Sequence, residues 1–180
     1  MKALVFDTET TGLIENTTLK NNKLPEIIEF YGCIVDISSK DTPPEHEVNV
    51  LIRPKRYAEA DYKEARSMIH PDLLQDQLPF DRYALKIKNL IEMAPMVIAH
   101  NLAFDHEMVD IEMKRVGLSV AWPRGLCSIE ATVYLKGFRL NLTALHEHLF
   151  GAPFPEAHRA KPDVEALVRC VRLLHERGDI

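Results

Sequence analysis

The chain has 180 residues, of which 46% are hydrophobic and 27% charged, and its net charge at neutral pH is −5. This composition excludes a disordered or fibrous protein, no apolar run reaches the ~20 residues of a membrane span, and no signal peptide is recognisable. The three cysteines are widely spaced, which argues against a disulfide framework or zinc site and favours one reduced, cytoplasmic domain over residues 1–180.

The first third of the chain predicts three strands with short connections. An apolar run over residues 3–6 leads into the acidic stretch 7–12, residues 27–37 are apolar and β-branched, and residues 47–53 alternate until a proline. Strands that follow one another in this way predict an antiparallel meander. The polar residues 15–23 between the first two strands are either a lid over a substrate or plain surface loop.

The rest of the chain alternates between helix and strand. The predicted elements are a helix capped by Asp81, a strand over 96–99, a helix to about Arg115, an ambiguous segment over 126–135, a short helix capped by Asn141, and a last helix opened by Pro162 and Asp163. An α/β fold follows, with a mixed sheet and helices packed on it.

Asp7 and Glu9 lie at the end of the first predicted strand. Alternation along a strand puts both side chains on one face, roughly 7 Å apart. Two buried carboxylates at that distance repel each other and lose hydration, unless cations stand between them. The suitable ions are hard and oxygen-loving, such as Mg²⁺ or Mn²⁺. An acidic turn after a strand is the alternative, and for an isolated Asp-x-Glu it is the more common one.

Two further acids, Asp105 and Asp163, each lie in the first turn of a predicted helix, and His158 precedes the second of them by five residues. Aspartate is common at this position because it interacts favourably with the helix dipole. Taken singly, each of the two is therefore explained as a helix cap.

The three acidic segments together resemble the DEDDh family of 3′→5′ exonucleases. The first motif of the family is similar to residues 6–12, the second resembles residues 100–105, and the third, a histidine five residues before an aspartate, is similar to residues 158–166. Their order and separation also fit, so the resemblance extends over essentially the whole chain.

The resemblance implies a ribonuclease H-like fold, in which three antiparallel strands are followed by parallel additions to the sheet. It also implies a hydrolase that releases nucleoside monophosphates from the 3′ end of DNA, single-stranded or frayed, in replication or repair. Two divalent ions, Mg²⁺ or Mn²⁺, are expected ~4 Å apart. Their expected ligands are Asp7, Glu9, Asp105 and Asp163. His158 is the expected general base, since histidine exchanges protons near neutral pH.

Five residues are candidates for contact with the terminal nucleotide: Thr10, Thr11, Gly12, Phe104 and His70. The first three could equally form a simple turn, and the phenylalanine could belong to the core. The histidine is uncertain because the local match can shift by one residue. His100 and Asn101 are expected to have structural roles.

Basic residues near the motifs either bind phosphates of the nucleic acid or are solvated surface. They are Arg159 and Lys161 beside the third motif, and Lys136 and Arg139 on either side of Phe138.

Two other functions remain open. The substrate could be RNA or short oligoribonucleotides, because discrimination of the 2′-OH is not legible in these motifs. The chain could also be a non-catalytic module that docks on a DNA polymerase, although four clustered acids argue against it. The chain ends soon after its last predicted helix, which favours a free-standing exonuclease, or one held by surface contacts, over one docked through a tail.

Overall fold

A computed structural model describes residues 1–14, 24–55 and 69–180 of the chain. The loop predicted over 15–23 and most of the segment between 55 and 69 lie outside these residues. Among the described residues, no helix is long and apolar enough to cross a membrane.

Five strands form one mixed sheet in the order β3-β2-β1-β4-β5. The strands are β1 (Lys2–Thr10), β2 (Ile27–Asp36), β3 (His46–Leu51), β4 (Met96–Ala99) and β5 (Arg124–Cys127). The first three strands pair antiparallel, whereas β4 runs parallel to β1 and β5 runs parallel to β4. The predicted meander with parallel additions is therefore confirmed.

Helices cover both faces of this sheet. They are α1 (Ala84–Met93), α2 (Leu102–Arg115), α3 (Ser128–Thr132), α4 (Leu142–Phe150) and α5 (Ala160–Arg177), with 3₁₀ turns at Pro71–Leu73, Phe80–Arg82 and Val133–Leu135. The ambiguous segment over 126–135 resolves into the end of β5 followed by α3 and a 3₁₀ turn.

The last helix begins at Ala160, two residues earlier than the sequence predicted. Pro162 is accommodated because the amides of the first helical turn need no partner within the helix. The amide of Asp163 is the first to bond back along the helix, donating to the Arg159 carbonyl at 3.0 Å.

Strand alternation separates two cores. Odd-numbered residues of β1 and β2, such as Val5 and Cys33, pack with α4 and α5. Even-numbered residues, such as Phe6 and Phe30, pack with α1 and α2. At the carboxyl end of β1, the polar side chains follow the same alternation, so odd-numbered ones face α5 and even-numbered ones face α2.

Candidate metal centre

Three carboxylates converge at the carboxyl end of β1. Oxygen atoms of Asp7, Glu9 and Asp163 all lie within 4.8 Å of one another. The first two are odd-numbered residues on the α5 side of β1, and the third lies in the first turn of α5. Three carboxylate oxygens at this spacing form the kind of donor set that Mg²⁺ and Mn²⁺ prefer, so the residues fit a divalent ion.

Asp105 lies outside this group of three, because it belongs to α2 on the opposite face of the sheet. Its side chain is buried, and Oδ1 accepts hydrogen bonds from the Thr8 amide at 3.0 Å and the Thr8 hydroxyl at 2.7 Å. The register pairs between β1 and β4 are confined to Leu4 and Val5, so Thr8 lies beyond that ladder. Asp105 thus extends the bonding of β1 while adding a negative charge next to the centre.

Burial raises the pKa of every carboxyl group in the centre, and repulsion between the acids adds to the rise for Asp7 and Glu9. Burial is the largest cause in each case, and it raises the pKa of Glu9 to about 8, of Asp105 to about 7 and of Asp163 to about 6. The pKa of Asp7 also rises well above its usual value, through burial and then the charges of Asp105 and Glu9. Without a cation, the centre therefore retains protons near neutral pH.

His158 lies beside the carboxylates, exposed, in the loop before α5. Its backbone is in the left-handed region, with φ of 72°, and its amide donates to both carboxylate oxygens of Asp163 at 3.3 Å. An open cleft of about 460 Å³ separates it from β1. The cleft is lined by Asp7, His100, Asn141, Leu142, Thr143, Phe154, Ala157, His158 and Asp163.

The loop that carries His158, residues 151–159, is attached to the protein along its length. Gly151 ends α4 in the left-handed conformation, and the carbonyl of Ala152 lies 2.8 Å from the His146 ring nitrogen Nδ1. Phe154 is buried in the core beneath α4 and α5. The backbone position of His158 is therefore set by this packing as well as by the helix that follows.

A buried ion pair that the sequence analysis missed fixes the end of the same loop. Glu29 of β2 is 2% exposed and receives three hydrogen bonds from the Arg159 guanidinium, the shortest at 2.8 Å. Arg159 is therefore engaged with a carboxylate, although the sequence proposed it for phosphates. The detectable signal was a glutamate inside an otherwise apolar strand.

His100 and Asn101 have structural contacts at the end of β4. The His100 ring nitrogen Nδ1 lies 2.8 Å from the Ser128 hydroxyl, and burial lowers the pKa of the ring to about 4, which keeps it neutral. Asn101 adopts the left-handed conformation, with φ of 80°, immediately before α2. Asparagine tolerates this conformation better than most residues, which explains its place in this tight turn.

The residues predicted to contact a nucleotide have different environments. The Thr10 hydroxyl donates to the Gly12 carbonyl, and Thr11 exchanges two hydrogen bonds with the backbone of Glu26, so these residues form an ordered turn. Apart from Gly12 and its two chain neighbours, no atom of residues 1–14, 24–55 or 69–180 lies within 4 Å of the place where a Cβ of Gly12 would stand. Phe104 is half-buried against the α2 core.

His70 is the most exposed of these candidates. It caps the 3₁₀ turn at Pro71–Leu73, and its Nδ1 lies 3.3 Å from the Asp72 carboxylate.

Two of the other basic residues that were candidates for binding phosphates contact neighbouring side chains. Lys161 lies over the ring of Tyr31, with Nζ 5.6 Å from the ring centroid. Arg139 pairs with Glu130 at 2.5 Å, and both side chains are exposed. Phe138, which precedes this arginine, is also exposed.

Solved nucleases share this fold. Exonuclease I of E. coli, in its zinc-bound complex with single-stranded DNA and in complex with a dT13 oligonucleotide, matches with TM-scores of 0.76 and 0.75 and 18% identity. The match covers 98% of this chain but only 41% of the exonuclease I chain. Exonuclease X in complex with 5′-overhanging duplex DNA matches with a TM-score of 0.65 and 18% identity, covering 98% and 93% of the two chains.

A family model described as RNase T, exonuclease, matches residues 4–171. No curated protein matches the sequence of this chain. The matched range includes all three acidic motifs, from β1 to most of α5. The chain therefore belongs to the RNase T exonuclease family, and the exonuclease assignment that its motifs predicted is confirmed at the level of the family.

Proposed function

We propose that this exonuclease domain is metal-dependent and releases nucleoside monophosphates from the 3′ end of DNA, single-stranded or frayed. The observation that carries the proposal is the convergence of Asp7, Glu9 and Asp163, from opposite ends of the chain, within 4.8 Å. The DNA complexes of the structurally similar exonucleases I and X support DNA as the substrate.

The three converging acids, with Asp105 beside them, are proposed to hold two divalent ions, Mg²⁺ or Mn²⁺. Such ions supply Lewis-acid polarisation of the phosphodiester and stabilisation of the leaving oxygen. The raised pKa values of the acids support this role. They show that the ionised carboxylates are unfavourable in the empty site, and a bound cation would stabilise the ionised form.

His158 is proposed as the general base, which accepts a proton from the attacking water on a nitrogen of its ring. Its place in the lining of the cleft and the bond of its amide to the Asp163 carboxylate support this role, since the residue is accessible to water and lies beside a proposed metal ligand. His100, which also lines the cleft, is neutral and hydrogen-bonded to Ser128, so it is the weaker candidate.

The terminal nucleotide is proposed to lie in the cleft, against the turn formed by Thr10, Thr11 and Gly12. The described part of the chain leaves the Cα of Gly12 uncovered, which supports a close approach of the nucleotide to the backbone. Phe104 is proposed to stack on a base with the part of its ring that the core leaves exposed. His70 is also proposed to contact the terminal nucleotide.

The test is nucleotide release from single-stranded DNA and RNA of equal sequence, labelled at the 3′ or the 5′ end, with Mg²⁺, Mn²⁺ or EDTA. We expect mononucleotides from the 3′ end of DNA with either metal and none in EDTA. A frayed duplex compared with a blunt one tests the requirement for an unpaired end.

Each other outcome supports a different function. Faster release from RNA would favour an exoribonuclease or oligoribonuclease. No release from either polymer with any metal would contradict the proposal and favour a module that docks on a DNA polymerase, to be sought as a bound partner. We further propose that residues 1–180 act as one cytoplasmic domain in DNA replication or repair.

A further inference from the structure

We propose that Glu29 and Arg159 form a positioning pair that fixes the imidazole of His158 for the reaction, an inference that rests on the proposed role of His158 as general base. Neither residue is a member of the group of three carboxylates, although the charges of both act on Glu9. Their proposed role is to fix the position of His158, the residue that precedes Arg159.

The contacts of this pair join the loop to the sheet at two points. Arg159 donates from Nε to both oxygens of Glu29, at 3.3 and 3.1 Å, and from Nη2 to Oε1 at 2.8 Å. The amide of Ala160 donates to Oε2 at 2.9 Å. One buried carboxylate therefore binds both the side chain and the first helical amide that follow His158.

Glu29 is a rigid anchor because it belongs to β2, which is paired on both edges. Its register partners are Glu9 of β1 and Leu51 of β3. The loop end is thus tied to the strand that lies directly beside the metal centre. The His158 amide bonds Asp163, and the next residue, Arg159, bonds Glu29.

Packing alone gives no reason for a glutamate at this position. It faces Glu9 directly across the ladder, and like charges opposite each other destabilise a sheet. An ion pair with one buried partner is seldom more stabilising than apolar residues of the same size. Here its three hydrogen bonds hold the guanidinium of Arg159 in one geometry. The left-handed backbone of His158 is a conformation that needs such specification.

Two other roles for Arg159 make different predictions. As a phosphate ligand, which the sequence suggested, it would act on KM and independently of Glu29. As a fold-stabilising arginine, it would act like an arginine that bonds the protein far from the centre. Arg172 provides the matched control, because it is half-buried on α5, the helix that follows Arg159, and bonds the carbonyls of Asp36, Lys40 and Thr42.

The experiment compares Arg159→Gln, Arg159→Lys, Glu29→Gln, the double variant Glu29→Gln/Arg159→Gln, and Arg172→Gln in the nucleotide-release assay. We expect Arg159→Gln to lower kcat about 10- to 100-fold, since small displacements of a reacting group have effects of this size. KM should change less than about twofold, and lysine should restore part of kcat by keeping the charge. The double variant should be no slower than Arg159→Gln, because the two residues act as one unit.

Amide hydrogen exchange in the metal-free protein tests the pair without activity. We expect the amides of His158 and Ala160 to exchange faster in Arg159→Gln than in wild type or Arg172→Gln. If wild type releases no nucleotides, the proposed function fails, while this measurement still tests the attachment of the loop.

Three results would overturn the inference. A rise in KM at unchanged kcat would make Arg159 a phosphate ligand. Equal losses in Arg159→Gln and Arg172→Gln would reduce its role to stability, and additive losses in the double variant would separate it from Glu29.

Discussion

Asp7, Glu9 and Asp163 bring three ionisable acids into one partly buried group. Burial and the neighbouring acids raise the pKa of each carboxyl group. Protons and divalent cations therefore compete for the same oxygens, and removing one acid affects both stability and catalysis.

Replacing Asp7 or Asp163 with asparagine should abolish nucleotide release, because the amide is a poor ligand for Mg²⁺ and removes a negative charge. The Asp7 variant should have a larger free energy of unfolding than wild type in EDTA at pH 8, since it removes a buried acid whose pKa is raised in the folded protein. Asp76→Asn, at an exposed position, is the control for both measurements. An active Asp7→Asn protein would contradict the metal site.

Replacing His158 with alanine should lower kcat by about 10²–10⁴-fold, the usual effect of losing a general base. Calorimetric binding of Mn²⁺ should be unchanged, because the histidine ring is not among the grouped ligand atoms. His148→Ala, on the exposed side of α4, should leave both quantities unchanged. A variant that loses Mn²⁺ binding would instead make His158 a ligand.

At the scale of elements, the alternation of β1 distributes the acidic motif over two faces of the sheet. Asp7 and Glu9 face α5, while Thr8 faces α2 and bonds Asp105. One short strand therefore meets acids from two helices.

Asp105 has a structural role that is separable from its charge. Asparagine retains an oxygen that can accept from Thr8, whereas alanine leaves the buried amide and hydroxyl of Thr8 without this partner. Asp105→Ala should therefore be less stable than Asp105→Asn by about 1–3 kcal/mol. Urea unfolding in EDTA measures the difference, and equal stability would show that the Thr8 contacts contribute little.

The sequence predicted the elements and the acidic motif because both depend on local patterns. Asn141 caps α4 as expected, with its Oδ1 accepting from the Ala144 amide at 2.8 Å. Gly151 ends the same helix in the left-handed conformation. These features are decided within a few residues of chain.

The Glu29–Arg159 pair was not predicted, because its members are 130 residues apart in sequence. The partner of a buried charge depends on which helix covers which face of the sheet. The position of Asp105 outside the group of three also follows from the two-faced sheet, and no spacing in the sequence reveals it.

At the scale of the whole molecule, the acidic centre couples folding to pH. The folded pKa values of Glu9 and Asp105, about 8 and 7, exceed the usual values of free carboxyl groups, so the folded protein retains protons that the unfolded chain has lost. The free energy of unfolding in EDTA should therefore decrease as pH rises from 6.5 to 8. The slope is at most about 1.4 kcal/mol per pH unit for each retained proton.

This interval avoids the opposite contribution of His100. Because the folded pKa of His100 is about 4, its contribution makes the free energy of unfolding increase as pH rises from there towards the usual pKa of histidine. Above that usual pKa the contribution no longer changes with pH. Mg²⁺ should raise the melting temperature more at pH 8 than at pH 6.5, because protons then compete less for the carboxylates. Thermal unfolding with Mg²⁺ and with EDTA checks both trends, and greater stability in EDTA at pH 8 than at pH 6.5 would contradict them.

The left-handed backbones of Glu156 and His158 have a consequence for the evolution of this protein. Glycine adopts that conformation at no steric cost, so variants with glycine at either position can gain heat resistance. At the second position the same change removes the imidazole. A laboratory selection for thermal stability alone would therefore replace His158 with glycine, whereas a selection that also requires nuclease activity would retain the histidine.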